Sequence, residues 1–128
     1  KPVMTLKSVI SMVKTINKGD ALSYGRTFVA EKQMKVATVS AGYADGYPRL
    51  LSCKGEVILH GKRAKILGNI CMDQFIIDVS DIENVKCGDE VILFGEEITA
   101  NEISNKCQTI GYEITCGLTS RVPRVIIY

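Results

Sequence analysis

The sequence predicts a mostly β domain, either a barrel or a small closed sheet, with one or two short helices. Most of its segments are short, rich in Val and Ile, and separated by turn signals at the spacing of an all-β domain. The turns are predicted where Gly supplies the backbone freedom that a tight turn requires. The predicted strands are residues 34–40, 56–60, 64–67, 74–79, 90–94 and 122–127.

The first segment, residues 5–16, fits two patterns. Leu6, Val9, Ile10 and Val13 have the spacing of one helical face. The Ser, Thr and β-branched content of the segment favours a strand, although weakly. We predict a strand, mainly because of the resemblance described below.

The clearest helix signal lies near residue 100. Thr99 and Glu102 form a T-x-x-E capping box, and Ile98 and Ile103 occupy the hydrophobic positions on either side of the cap. This pattern predicts a helix over residues 99–107.

A second helix is predicted to start at Thr109. Tyr112 would then lie in its first turn, and Gly117 would end it. Backbone N–H groups point outward at such a helix start, so Tyr112 would lie beside them.

Composition indicates one folded domain over residues 1–128 and excludes several functions. Hydrophobic residues make up 46% and charged residues 23%, which is ordinary for a globular chain of 128 residues. The net charge of +2 comes from scattered Lys and Arg, so we expect no nucleic-acid partner. Five cysteines without a C-x-x-C pair, together with the single His60, argue against a metal site and a disulfide framework. Reduced thiols in a cytoplasmic protein are the simplest interpretation.

The ends of the sequence carry further expectations. No apolar stretch approaches the roughly 20 residues that span a bilayer, and the first residues lack the apolar part of a signal peptide. The chain has no initiating Met and opens with Lys1 and Pro2, which resembles a linker. We therefore expect that it was cut from a longer protein.

Three segments combine turn residues with polar groups. Residues 41–49 (AGYADGYPR) are first a turn, because Asp-Gly is a strong hairpin signal and Pro fixes φ. Residues 23–27 (SYGRT) place Tyr24 beside a Gly, where backbone could approach a ligand, although packing is the commoner role of such a Tyr. In residues 68–74 (GNICMDQ), backbone groups could meet a polar ligand, or the segment could simply lead into a strand. Composition does not decide between these alternatives.

In this order and spacing, five motifs resemble the C-terminal domain of bacterial alanine racemases. They are residues 2–7 (PVMTLK), 23–27 (SYGRT), 42–49 (GYADGYPR), 71–74 (CMDQ) and 121–124 (RVPR). The resemblance implies a barrel-like, mostly antiparallel β domain that follows an N-terminal (β/α)₈ barrel. It also implies a head-to-tail homodimer in which this domain reaches the partner subunit's active site.

The resemblance assigns roles to individual residues. Tyr24 matches the catalytic tyrosine, which exchanges the Cα proton of a small amino-acid substrate. A lysine of the absent N-terminal domain acts on the opposite face and holds pyridoxal 5′-phosphate, so the isolated domain is expected to be inactive. Met72, through its backbone N–H, and Asp73 match the site of the substrate carboxylate. Tyr43 matches the narrow passage into the pocket, with Arg49 lining its outer part, and Tyr112 matches a residue near the cofactor phosphate.

Two departures from the family pattern bear on substrate preference. Asn69 stands where many members have Arg, and residues 117–119 (GLT) replace a stretch resembling Arg-Ile-Ser. One alternative is therefore a serine or broad-specificity amino-acid racemase, and a fusion of the serine-racemase type would add a tether to a membrane transport domain upstream. An alternative of another class is a non-catalytic β-barrel interaction module, which composition alone permits.

Overall fold

The computed structural model describes residues 4–22, 28–108, 114 and 116–125 of the chain. Within these ranges, the two short 3-10 helices Tyr43–Asp45 and Arg49–Leu51 and the α-helix α1 (Ala100–Cys107) accompany the strands. The strands are β1 (Leu6–Ile16), β2 (Ala21–Leu22), β3 (Phe28–Val29), β4 (Met34–Val39), β5 (Glu56–Leu59), β6 (Lys62–Leu67), β7 (Phe75–Asp78) and β8 (Glu90–Phe94).

Six of the strands form a closed barrel in the order β1-β4-β7-β6-β5-β8, and every neighbouring pair is antiparallel. The long strand β1 closes the ring because its first half pairs with β8 and its second half with β4. The register shifts between Ile10 and Met12, where the strand passes from one partner to the other. Such irregularities bend a strand and let a sheet curl onto itself. The predicted barrel-like antiparallel fold is confirmed.

The interior of the barrel holds the main hydrophobic core. Alternate residues of the strands point inward, and those of β8 and β5 are fully buried, as Val91, Leu93, Val57 and Leu59 illustrate. Each such side chain contributes about 1.5–3 kcal/mol by leaving water. The core therefore fixes the strand ends from which the loops project.

A second cluster lies on the two-stranded ribbon of β2 and β3. Leu22 is buried with Leu67, and Phe28 and Ile76 pack against the same cluster. Leu67 ends β6 and Ile76 lies in β7, so the two residues flank the loop between those strands. The ribbon thus packs against the two strands that the Met72 loop connects.

Most of the predicted elements agree with the structure. The strand prediction for residues 5–16 is confirmed, and residues 90–94 are a strand over their whole length. The helix begins after Thr99, whose Oγ1 accepts a hydrogen bond from the Glu102 N–H at 3.0 Å. Ile98 and Ile103 are both buried, as the capping pattern predicts.

Two predicted elements near the C-terminus differ from the structure or lie partly outside the described residues. The predicted strand over residues 122–127 is wrong for residues 122–125, which have no regular structure. Pro123 has no N–H to donate to a strand ladder, so β-branched neighbours are not sufficient there. The start of the predicted second helix, residues 109–113, lies outside the described residues. Ile114 and Cys116 are helical, and Gly117 follows them in a turn.

Arg63 links helix α1 to the β5–β6 hairpin. Its guanidinium meets both carboxylate oxygens of Glu102, at 2.7 and 3.0 Å, and Glu56 at 3.1 Å. The bond from Arg63 is the main cause that lowers the pKa of Glu102. Arg63 is therefore an arginine between two carboxylates, and it does not belong to any of the five motifs.

Candidate functional site

The first motif lies directly after β4. Gly42 precedes the 3-10 helix Tyr43–Asp45, and Gly46 ends it with a φ of 97°, a conformation that glycine adopts readily. Asp45 stabilises the turn because its Oδ2 accepts the Gly42 N–H at 2.9 Å. The Asp-Gly pair is a turn, as predicted, but it closes a 3-10 helix and does not join two strands of a hairpin.

The turn that carries Tyr43 packs against the loop that carries Met72. The backbone N–H of Tyr43 donates to the Cys71 carbonyl, and that of Ala44 to the Met72 carbonyl, each at 3.0 Å. A Cβ at Gly42 would overlap both of these carbonyl groups. Glycine is thus required at this position for the two loops to meet.

Tyr43 and Met72 both reach the surface at this contact, with 43% and 52% of their areas exposed. The Met72 N–H donates to no residue in the described part of the chain. A backbone N–H without a partner can bind an anion such as a carboxylate. The structure therefore brings together Tyr43 and Met72, two of the residues that the sequence predicted for one site.

A third segment, residues 117–119, packs against the turn that carries Tyr43. The Thr119 N–H donates to the Asp45 carbonyl at 3.0 Å, and its hydroxyl donates to the Ala44 carbonyl at 2.8 Å. Gly46 lies so close to Gly117 that a Cβ would overlap its carbonyl oxygen. Residues 117–119, where the sequence departs from the family pattern, thus contact the Tyr43 turn at Ala44, Asp45 and Gly46.

Arg121 connects two of these segments. Its Nη2 donates to Asp73 Oδ1 at 2.7 Å, and its Nε lies 3.4 Å from Asp45 Oδ1. The bond to Asp73, and then the charge of Asp45, raise the pKa of Arg121, so the guanidinium stays charged. Arg121 lies in one of the five motifs, but the sequence alone assigns it no role. We call the surface formed by residues 42–46, 69–74 and 117–121 the motif face.

Arg49 lies over Tyr43 on the same side of the domain. Its guanidinium carbon is 5.9 Å from the centre of the Tyr43 ring, within range of a cation–π contact. The predicted neighbours of one passage, Tyr43 and Arg49, are therefore in contact with each other.

Two of the predicted site residues, Tyr24 and Tyr112, lie outside the described residues. The residues on either side of the Tyr24 motif are described, and Leu22 stands directly opposite Phe28 in the β2–β3 ribbon. Both belong to the cluster that includes Leu67 and Ile76, beside the Met72 loop. The described residues on either side of the Tyr24 motif thus share a hydrophobic cluster with β6 and β7, the two strands that the Met72 loop connects.

Tyr47 belongs to the same motif as Tyr43, but it is buried in the core of the domain. It is 1% exposed and stacks on Phe75, with ring centres 5.2 Å apart and planes inclined by 17°. Its hydroxyl has no hydrogen-bond partner among the described residues. Burial, with a smaller contribution from Cys107, raises the pKa of Tyr47. Sequence pattern alone does not separate this tyrosine from the exposed one.

Replacing Tyr47 with Phe should leave the protein as stable as before or make it more stable. The ring and its stacking on Phe75 would remain, while a buried hydroxyl without a partner, which costs about 1–3 kcal/mol, would be removed. The measurement is the midpoint of thermal or urea unfolding. A variant clearly less stable than the parent protein would show that the hydroxyl makes a bond that stabilises the fold.

Within the described ranges, 4–22, 28–108, 114 and 116–125, no group of three or more His, Cys, Asp or Glu side chains could hold a metal ion. A search of the same residues finds no helix with the length and apolar character needed to cross a membrane.

Comparison with known proteins gives a consistent result. The chain matches the family described as "Alanine racemase, C-terminal domain" over residues 3–126. It is 54% identical to an alanine racemase of Clostridium tetani, with the alignment covering 99% of the chain and 34% of that protein. It is 49% identical to an alanine racemase of Halothermothrix orenii, covering 97% of the chain and 34% of the relative. The chain therefore spans about a third of the length of these relatives.

Solved structures share the same fold. The biosynthetic alanine racemase of Pseudomonas aeruginosa superposes with a TM-score of 0.95 at 37% identity, over the whole chain and 36% of that protein. The alanine racemase of Bartonella henselae with covalently bound pyridoxal phosphate superposes with a TM-score of 0.93 at 34% identity, over 96% of the chain and 34% of that protein.

Proposed function

Because this chain belongs to the family of alanine racemase C-terminal domains, we propose that it forms one wall of the active site of an enzyme that interconverts L- and D-alanine. The observation that carries the proposal is the contact between the Tyr43 turn and the Met72 loop, which creates a site from two motifs distant in sequence. The relatives are about three times as long as this chain. The other wall of the site would accordingly come from an N-terminal barrel domain.

Three groups on the motif face can donate to an anionic ligand, and they lie beside the carboxylates of Asp45 and Asp73. They are the Met72 N–H, the Tyr43 hydroxyl and the guanidinium of Arg121. None of residues 41–49, 69–74 and 117–124 is a lysine, so these segments offer no amine for a Schiff base. The residues present thus fit one side of a site for pyridoxal phosphate and alanine, with the lysine supplied by the other domain.

Pyridoxal phosphate, when bound, supplies an electron sink that makes the Cα–H bond of the amino acid acidic. Racemisation then requires one acid–base group on each face of Cα. We assign one face to the Tyr24 hydroxyl and the opposite face to the lysine of the N-terminal domain. A free tyrosine has a pKa of about 10 and is a poor base at neutral pH. The Tyr24 hydroxyl would therefore need a cationic or hydrogen-bonding neighbour from that domain.

The remaining residues bind and select the substrate. The Met72 N–H would hold the alanine carboxylate, next to an Asp73 that is paired with Arg121. Tyr43, with Arg49 against its ring, would narrow the passage, and Tyr112 would lie near the cofactor phosphate. A narrow passage favours alanine over larger amino acids, and rates measured with L-serine and L-alanine would test that preference.

The family resemblance also predicts that this domain acts on the partner subunit's cofactor, which a mixed dimer can test. One full-length variant would carry Tyr24→Phe, and the other would lack the cofactor lysine of its N-terminal domain. If the site is shared between subunits, each mixed dimer contains one intact site, and random mixing should restore about a quarter of the parent activity. Each variant alone should be inactive. Failure of the mixture to gain activity, with mixed dimers verified by mass, would contradict the shared site.

A further inference from the structure

We propose that Arg121 is a positioning residue, which fixes the Met72 loop to the Tyr43 turn and so presents both to the substrate. The inference rests on the proposed function, because it concerns how the same site is kept in shape. Arg121 is the residue that contacts a carboxylate of each segment, Asp45 in the turn and Asp73 in the loop.

One end of this link is firmly held. Asp45 is the more buried of the two carboxylates, with 19% of its side chain exposed, and its Oδ2 is bonded to the Gly42 N–H. Its backbone carbonyl accepts the Thr119 N–H, from the same segment as Arg121. Arg124 bonds the carbonyls of Leu118, Thr119 and Val122 and so stabilises that segment. Asp45 and the segment that carries Arg121 are therefore held in place by several hydrogen bonds.

The other end is an exposed loop. Asp73 has 63% of its side chain in solvent, and it follows Met72, whose N–H is the proposed carboxylate donor. The loop is joined to the turn by two backbone hydrogen bonds, which Cys71 and Met72 accept through their carbonyls. Arg121 adds a side-chain contact at Asp73, the next residue of the loop. The Met72 peptide is thus attached at two consecutive points.

Charge gives Arg121 a second effect in the same direction. A carboxylate at Asp73 without a partner would repel the substrate carboxylate that approaches the adjacent N–H. Arg121, bonded to it at 2.7 Å, offsets part of this negative charge, while the same guanidinium also lies 3.4 Å from Asp45. Exposed ion pairs contribute little to overall stability, so the consequence should be seen in substrate binding and not in unfolding.

The test is a kinetic comparison in the full-length enzyme. Arg121→Ala should raise the KM for alanine about tenfold and lower kcat less than about threefold, since the loop that holds the carboxylate loses its support. The KM of Arg121→Lys should lie between those of the parent enzyme and Arg121→Ala. One ammonium group does not replace a planar guanidinium that contacts two carboxylates. In the background of Asp73→Asn, Arg121→Ala should have a smaller effect than it has alone.

Arg63→Ala is the matched control. Arg63 also lies between two carboxylates and is similarly exposed, but its bonds go to Glu56, Glu97 and Glu102, none of which belongs to the motif face. The Arg63→Ala substitution should leave KM and kcat for alanine unchanged. Equal KM values for Arg121→Ala and Arg63→Ala would overturn the positioning role, even if the enzyme racemises alanine.

A second measurement does not depend on activity. Backbone hydrogen exchange in peptides covering residues 42–46 and 71–74 should be faster in full-length Arg121→Ala than in Arg63→Ala. If the parent protein does not racemise alanine, the proposed function is wrong, while this measurement still reports on the link. Unchanged exchange in Arg121→Ala would overturn the link itself.

Discussion

Replacing Tyr24 with Phe in the full-length enzyme should lower kcat for alanine racemisation by about a thousandfold in both directions. The reason is that a positioned acid–base group contributes roughly 10² to 10⁴ in rate, and the two faces of Cα must both be served for inversion. Pyridoxal phosphate should remain bound, since the lysine that holds it is in the other domain. The measurements are racemisation rates from L- and D-alanine and the absorbance of the bound cofactor.

Isotope exchange makes this test sharper. In deuterated water, the Tyr24→Phe enzyme should still exchange the Cα hydrogen of the enantiomer served by the lysine, without converting it into the other. Tyr47→Phe is the matched control, because it removes a hydroxyl from the same domain at a buried position. It should leave the rates unchanged. Normal racemisation by Tyr24→Phe in both directions would remove Tyr24 from the mechanism.

Replacing Gly42 with Ala should destabilise the domain and should also lower kcat/KM for alanine in the full-length enzyme. The φ of Gly42 is −159°, which alanine adopts without strain, so the effect comes from the overlap of the added methyl with the carbonyls of Cys71 and Met72. Forcing atoms into such a contact costs about 1–3 kcal/mol. Separation of the two loops should lower kcat/KM for alanine more than tenfold. Chemical unfolding and steady-state kinetics measure the two effects.

Gly88→Ala is the control for a loss of stability alone. Gly88 has a φ of 94°, and a Cβ there would meet no atom within 4 Å. The variant should lose about 1–2 kcal/mol through backbone strain and keep its kinetic constants. If Gly42→Ala kept the parent kcat/KM while losing a similar amount of stability, the contact between the two loops would not matter for the reaction.

The secondary structure of this domain was largely predictable from its sequence because the signals are local. The capping box at Thr99 and the Val- and Ile-rich segment at residues 90–94 depend on neighbours within a few residues. The order of the strands in the barrel depends on contacts between distant residues. The division of β1 between β8 and β4 follows from a register shift that no local pattern signals.

The candidate site was predictable to a lesser degree. The family resemblance named Tyr43, Met72 and Asp73, and the structure brings them together, while their roles stay proposals. Tyr24 and Tyr112 stay predictions. The link through Arg121 was not predicted, because it joins side chains from three separate segments. Tyr47 could not be told from Tyr43, because its burial depends on Phe75 in another strand.

The division of β1 also has a consequence for synthesis of the protein. Strand β8 lies between β1 and β5, and it pairs Leu6, near the start of the chain, with Phe94. Until β8 leaves the ribosome, one side of β1 and one side of β5 have no partner. Such open strand edges are templates for pairing with other chains. The growing polypeptide is thus most exposed to aggregation in the interval before its ring of strands is complete.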